Sequence, residues 1–118
     1  MTVLLIGGYP KGHDRPFHPA TLSGKRLKAI VEELGLDATY IDLWSSEREE
    51  REGKIDPFVL AVIRRRLSEG VTCFALGRWV HKRLVVQGVE VPYLPHPAAR
   101  RKIDQQRLRD GLRAGGFC

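Results

Sequence analysis

The sequence predicts an α/β protein in which helices cover both faces of a four-stranded parallel sheet. Short apolar runs alternate with amphipathic segments four times along the chain. This order is typical of parallel strands joined by right-handed helical crossovers. The chain has 118 residues, of which 42% are hydrophobic and 29% charged. That length and composition fit one ordinary globular domain over residues 1–118.

The first half of the chain supplies two predicted strands and one helix. Val3–Ile6 is an apolar run that ends at two glycines, as a buried strand would. Apolar residues recur at i, i+3, i+4 and i+7 from Leu27 to Leu34 and predict an amphipathic helix that stops at Gly35. The β-branched and aromatic run Ala38–Trp44 predicts the second strand. We expect SSEREEREGK, which follows it, to be a charged surface loop or a frayed helical turn.

The second half continues the alternation. Asp56 and Pro57 form a helix start, with a side-chain cap followed by proline at the first helical position, and this helix stops near Gly70. The remaining predicted elements are a strand over Val71–Leu76, a helix over Arg78–Gln87, a strand over Val89–Leu94 broken by Pro92, a loop over Pro95–Arg101 and a basic helix over Ile103–Ala114.

Charge is distributed unevenly along the chain. The formal net charge is +6. Residues 1–77 carry 11 basic and 11 acidic side chains, whereas residues 78–118 carry 9 and 3. A basic half favours a polyanionic partner such as nucleic acid. A solubilising surface with no partner explains the same excess.

The cysteines and the apolar runs limit the function classes. Cys73 lies inside the apolar run VTCFALG and is expected in the core, and Cys118 is the last residue. Neither has a histidine or cysteine at metal-ligand spacing, so no metal site and no cofactor are predicted. No apolar run is long enough to cross a bilayer, and MTVLLIGG lacks the basic region of a secretory signal. We therefore expect a cytoplasmic protein without a membrane partner.

The predicted topology gathers the unusual loops in one place. Parallel sheets bind ligands outside the carboxyl ends of their strands, and all strands end at the same edge. The loops that follow the four strands are Gly7–Leu22, Ser45–Lys54, Gly77–Arg78 and Pro95–Lys102. The first of them contains GHDRPFHPATLSGKRL, which is longer than most connections in compact domains and indicates a functional or disordered segment.

Six short motifs follow one another between Val3 and Arg101: GGYPKG, RPF, LSGKRL, TYIDLW, FALGRWVHKRL and LPHPAAR. Their order and spacing resemble those of the uracil-DNA glycosylase superfamily. The resemblance implies a uracil-DNA glycosylase-like, three-layer α/β/α fold with strand order 2-1-3-4.

The resemblance also implies roles for individual residues. Phe17 matches the aromatic residue that stacks under an everted base, although a phenylalanine closing the sheet edge is the alternative. His96 matches the histidine that donates a hydrogen bond to the base carbonyl, and a histidine capping a proline-rich turn is its alternative. Asp42 stands where the family reads the base edge with an amide. Because an ionised carboxylate only accepts hydrogen bonds, Asp42 would favour a base with an amino group or would simply cap the turn. We group Tyr9 with Phe17 and Asp42 as base-binding.

The sequence departs from the family at two positions. Family members place an acidic or amide side chain just after the first glycine of the strand-one loop, where this chain reads GGYP and has no carboxylate. Asp14 or His13, a few residues later, is expected to position the water instead. Ala98 stands where the family has a serine that contacts backbone phosphate.

Basic side chains on the same edge are expected to contact the nucleic-acid backbone. Neutralising phosphates with lysine and arginine gives affinity that is independent of sequence and falls steeply with salt. The residues assigned to this role are Lys11, Arg78, Arg100, Arg101 and Lys102.

The sequence therefore predicts a base-binding, glycosylase-like protein of DNA repair or base modification that hydrolyses the N-glycosidic bond of uracil or a modified base. Its expected partner is DNA, single-stranded or duplex, or a nucleotide. Two alternatives stay open: a non-catalytic module that binds nucleic acid or protein on the same fold, and a nucleotide- or nucleoside-processing enzyme.

Overall fold

A computed structural model describes residues 2–9 and 21–116 of the chain. In chain order, its elements are β1 (Thr2–Gly7), α1 (Leu22–Leu34), β2 (Asp37–Asp42), α2 (Glu47–Glu52), α3 (Pro57–Ser68), β3 (Thr72–Leu76), α4 (Arg78–Val86), β4 (Tyr93–Leu94) and α5 (Lys102–Gly116).

The four strands form one parallel sheet in the order β2-β1-β3-β4. This confirms the predicted fold class and strand order. The strand ends Gly7 and Asp42 lie opposite each other in the register, and β3 and β4 end next to each other at Leu76 and Leu94. The carboxyl ends of all four strands therefore lie at one edge of the sheet.

Helices cover both faces of the sheet because side chains alternate along each strand. Leu4 and Ile6 of β1 belong to one buried cluster with residues of α3 and α4. Val3 and Leu5 belong to a second cluster with residues of α1 and α5. Cys73 is buried in the first cluster, as predicted.

Local signals set the helix starts. The Thr21 side chain accepts a hydrogen bond from the Gly24 N–H (3.0 Å) at the start of α1. Asp56 caps α3 by accepting from the Phe58 N–H (2.8 Å), with Pro57 at the first helical position as predicted. Such caps satisfy backbone donors that have no partner inside the helix.

Most elements differ from the sequence prediction by one or two residues at an end, the fourth strand differs most, and one open alternative is resolved. The fourth strand covers only Tyr93–Leu94, because Pro92 has no N–H to donate, although its carbonyl still accepts from the Ala75 N–H (2.9 Å). The second strand ends at Asp42 rather than Trp44. The segment SSEREEREGK contains the short helix α2, which Ser46 caps.

Candidate functional site

A cleft of about 300 Å³ opens at the carboxyl edge of the sheet, over the ends of β1 and β3. We call it the edge cleft. Its volume is at the lower end of the range of about 300–1,000 Å³ found for small-molecule pockets. The residues that line it are Gly8, Trp44, Glu50, Leu76, Gly77, Arg78, Trp79, Val80 and His96.

His96 lies in the turn that follows β4, and the backbone fixes which of its nitrogens carries the proton. The Ala98 N–H donates to Nδ1 of His96 (3.1 Å). In the neutral ring Nδ1 is then the acceptor, so Nε2 carries the proton and acts as the donor. Gly77 lies against the ring: a Cβ there would make an ordinary van der Waals contact with the imidazole Cδ2 at 3.6 Å, so it is the φ of 106° at Gly77 that favours glycine.

Side chains from both helices on one face hold the turn that carries His96. The Arg26 guanidinium of α1 donates to the carbonyls of Pro97 (3.4 Å) and Ala99 (3.1 Å). Gln105 of α5 donates to the same Ala99 carbonyl (3.2 Å). Hydrogen bonds from a charged donor contribute more than neutral ones. Arg26 therefore anchors the loop that presents His96.

Two tryptophans form an aromatic wall of the edge cleft. The rings of Trp44 and Trp79 stack with centroids 6.4 Å apart and planes at 29°. Trp79 is 38% exposed, and the cations of Lys82 and Arg83 lie 6.0 and 5.5 Å from its ring centroid. Trp44 is buried, and its indole N–H has no hydrogen-bond partner among the residues that the structure describes.

Glu50 of α2 is a cleft residue that the sequence analysis did not single out. Its Oε2 accepts from the Tyr9 backbone N–H (3.1 Å), and its own backbone carbonyl accepts from the indole N–H of Trp79 (2.7 Å). A Cβ on Gly8 would lie 2.8 Å from the same Oε2. The carboxylate thus occupies the space that a side chain at position 8 would enter. The sequence places α2 in a strand-end loop, but nothing in its acidic pattern distinguishes Glu50 from its neighbours.

Asp42 ends β2 beside Gly7, at the same edge but outside the lining of the edge cleft. Strand alternation puts its side chain on the α1 and α5 face, together with Tyr40 and Ala38. Burial raises the pKa of the Asp42 carboxyl to about 7. Near neutral pH this group is therefore partly protonated, and a protonated carboxyl offers one donor beside one acceptor. The predicted behaviour of Asp42, a carboxylate that only accepts hydrogen bonds, therefore applies only when the pH is above about 7.

The other predicted site residues that the structure describes occupy different surroundings. The Tyr9 backbone meets Glu50, and its side chain packs, partly buried, against the α3 and α4 cluster. Arg78 is exposed and lines the edge cleft. Arg100 and Arg101 are exposed in the turn after His96, where Arg101 pairs with Asp104 at 3.8 Å, and Lys102 begins α5.

The remaining predicted site residues lie outside the described part of the chain. They are the stacking residue Phe17, the two candidates for positioning water, His13 and Asp14, and the phosphate-contacting residue Lys11. Their assigned roles stay predictions.

A larger cavity of about 450 Å³ lies between α1 and α5, and we call it the helix groove. Some of its long polar side chains are already engaged within the protein. Arg26 donates to the turn after His96, and Arg109 forms an ion pair with Glu33. The residues that line it are Arg26, Ala29, Ile30, Glu33, Pro97, Lys102, Gln105, Gln106, Leu108 and Arg109.

Within residues 2–9 and 21–116, no cluster of three or more histidine, cysteine or acidic side chains could hold a metal ion. In the same part of the chain, no helix combines the length and the apolar character that a bilayer crossing requires.

Comparison of the chain with protein-family models, with curated proteins and with solved structures gave no match.

Proposed function

We propose that this protein is a glycosylase that binds a nucleobase of DNA in the edge cleft and hydrolyses its N-glycosidic bond. One observation carries the proposal. The Ala98 N–H donates to Nδ1 of His96, which puts the proton of the neutral ring on Nε2, and this ring lines a cleft walled by the Trp44 and Trp79 rings. The resemblance of the ordered motifs to those of the uracil-DNA glycosylase superfamily supplies the second support.

The lining of the edge cleft suits a planar, polar ring. Aromatic side chains accept any nucleobase by stacking, which contributes about 1–3 kcal/mol per base. Trp79 lines the cleft and is partly exposed. Phe17 adds a second stacking surface in the proposal.

The donor at His96 matches the chemistry of the bond that breaks. When the N-glycosidic bond cleaves, its electron pair moves onto the base, and the negative charge spreads to the ring carbonyl oxygens. A hydrogen-bond donor fixed in advance against that oxygen stabilises the charge as it forms. A neutral imidazole with its proton on Nε2 performs this role without first gaining a proton. Arg26 and Gln105 limit its movement through the turn.

Asp42 ends β2 at the same edge of the sheet but outside the lining of the edge cleft, so the proposal gives it no contact with the base bound there. Arg78, Arg100 and Arg101 are exposed around the turn and the cleft, where they are assigned to backbone phosphates.

The test is incubation of the full chain with single-stranded oligonucleotides that contain uracil, hypoxanthine or 5-hydroxymethyluracil. Single strands are used because extruding a base from a duplex costs a few kcal/mol. We expect an abasic product, detected by alkaline strand cleavage, from at least one of the three.

No abasic product from any of them, while a known glycosylase works in parallel, contradicts the proposal. Salt-dependent binding without product would then point to a non-catalytic nucleic-acid-binding module. Binding of free nucleosides but not of oligonucleotides would point to a nucleoside-processing enzyme.

A further inference from the structure

We propose that Glu50 is the catalytic base that activates the attacking water, delivered to the edge cleft by α2. This inference rests on the proposed function and adds to it the residue that performs the second half of the hydrolysis.

The placement of Glu50 is the first argument. Glu50 and His96 line the same cleft of about 300 Å³. Glu50 contacts the chain just beyond β1, at Gly8 and Tyr9, and His96 contacts Gly77 just beyond β3. Since β1 and β3 are neighbours in the sheet, the two groups stand over adjacent strand ends, which are about 5 Å apart.

The second argument is that Glu50 is held in position. The Tyr9 N–H fixes one carboxylate oxygen, and the Trp79 indole fixes the backbone of the same residue. A carboxylate has about four lone-pair sites, so one hydrogen bond to Oε2 leaves the group able to accept from a water molecule. Gly8 leaves the space that the carboxylate fills.

The third argument is selection among the described carboxylates. Glu50 is the one acidic side chain in the lining of the edge cleft within the described residues. Asp42 lies outside that lining. Glu49 is engaged with Ser45, and Glu52 with Arg48 and Lys54.

The step balances with water as the co-reactant. Water forms a bond from its oxygen to C1′ of the sugar, and the C1′–N bond breaks with its electron pair leaving on the base. The proton lost by water goes to the Glu50 carboxylate and returns through solvent to the departed base. The products are a sugar with a C1′ hydroxyl and the neutral free base, which carries the proton lost by water.

The test compares Glu50→Gln with wild type in single-turnover cleavage of the panel strand that gives the fastest abasic product. Glutamine keeps a carbonyl oxygen that accepts from Tyr9, so the fold is retained, but it cannot take a proton. We expect the cleavage rate to fall about 100-fold or more, with strand binding unchanged within about two-fold. Glu52→Gln makes the same chemical change on the same helix, away from the cleft, and serves as the matched control.

Gly8→Ala provides an independent variant, since its methyl group would displace the Glu50 carboxylate. It should lower the cleavage rate by about ten-fold in the wild-type background and have no further effect in Glu50→Gln.

A Glu50→Gln rate equal to wild type overturns the inference and leaves the proposed function standing. Loss of activity in Asp14→Asn or His13→Gln with Glu50→Gln fully active would assign the water to the first loop. A wild-type protein that forms no abasic product removes the proposed function, and this inference with it.

Discussion

The edge cleft and the helix groove both adjoin the turn that carries His96, yet their linings differ in kind. The edge cleft, about 300 Å³, combines stacked indole rings with an imidazole and a carboxylate that backbone N–H groups fix. The helix groove is larger, about 450 Å³, but long side chains line it and pair with one another or clamp the backbone. The larger volume is therefore not the better candidate for the site.

The difference in lining suggests that the edge cleft serves catalysis and the helix groove serves stability. Groups fixed before a ligand arrives can stabilise charge as it develops, because no reorganisation is needed at the moment of reaction. The helix groove instead shows how α1 and α5 are joined and how the turn after β4 is held. We therefore expect changes in the cleft to alter catalysis and changes around the groove to alter stability.

The largest expected effect is that of His96→Asn. Asparagine can still accept a hydrogen bond from the Ala98 N–H, as in an Asx-type turn, but it removes the distal donor. We expect the rate of abasic-product formation to fall by about 10²–10³, equivalent to about 2.7–4 kcal/mol of transition-state stabilisation. The free energy of unfolding, measured by urea denaturation, should change by less than about 0.5 kcal/mol. A large loss of stability with an unchanged rate of abasic-product formation would contradict the assignment of His96 to catalysis rather than to stability.

The next effect concerns α5, which closes the groove from one side. A Cβ on Gly115 would lie 2.1 Å from Cζ of the buried Phe74 ring. Replacing a helical glycine by alanine would gain about 1 kcal/mol in helix propensity, but overpacking costs about 1–3 kcal/mol. We expect Gly115→Ala to be destabilised by up to about 2 kcal/mol, as measured by urea denaturation. Arg113→Ala, at an exposed position of the same helix, is the control, and a stabilised Gly115→Ala would show that α5 packs differently.

Arg26 connects the two regions, so its replacement should affect both properties. Arg26→Met removes the hydrogen bonds to Pro97 and Ala99 and should lower the free energy of unfolding by about 1–2 kcal/mol. The looser turn should also reduce the cleavage rate by about ten-fold. Arg109→Met is the matched control, because its pairing with Glu33 is a surface ion pair that contributes about 1 kcal/mol at most. If Arg26→Met and Arg109→Met changed the cleavage rate and the free energy of unfolding equally, Arg26 would not position the turn that carries His96.

The smallest effect depends on pH and concerns Asp42. Its pKa in the folded protein is about 7 because of burial, whereas the pKa of an aspartate in the unfolded chain is about 3.9. The unfolded chain therefore loses this proton first, and the contribution to stability is complete below about pH 4 and lost as the pH rises through 7.

Asp42→Asn should remove the loss of stability that wild type shows as the pH rises through about 7, because asparagine does not ionise. Solvent screening reduces the full linkage effect, so we expect the variant to exceed wild type by about 1 kcal/mol at pH 8 and to match it near pH 4. Asp110→Asn, at an exposed position, should show no such dependence. A constant difference between Asp42→Asn and wild type across pH would contradict the raised pKa.

The sequence predicted the parts of this structure that short-range patterns determine. Apolar runs, the Asp56 and Pro57 cap and the terminal glycines define the elements, and their alternation determines the parallel topology. Glu50 was not predictable, because its place in the cleft depends on a contact between α2 and Trp79, 29 residues away. The Arg26 clamp spans 71 and 73 residues. The raised pKa of Asp42 depends on burial, which its position at a strand end does not reveal.

The most direct measurement of the central claim is a crystal structure of the full chain soaked with uracil or hypoxanthine. The account predicts the base in the edge cleft beside Trp79, with a ring carbonyl oxygen about 2.7–3.1 Å from Nε2 of His96. A base bound in the helix groove, or an edge cleft that stays empty at saturating base concentration, would contradict it.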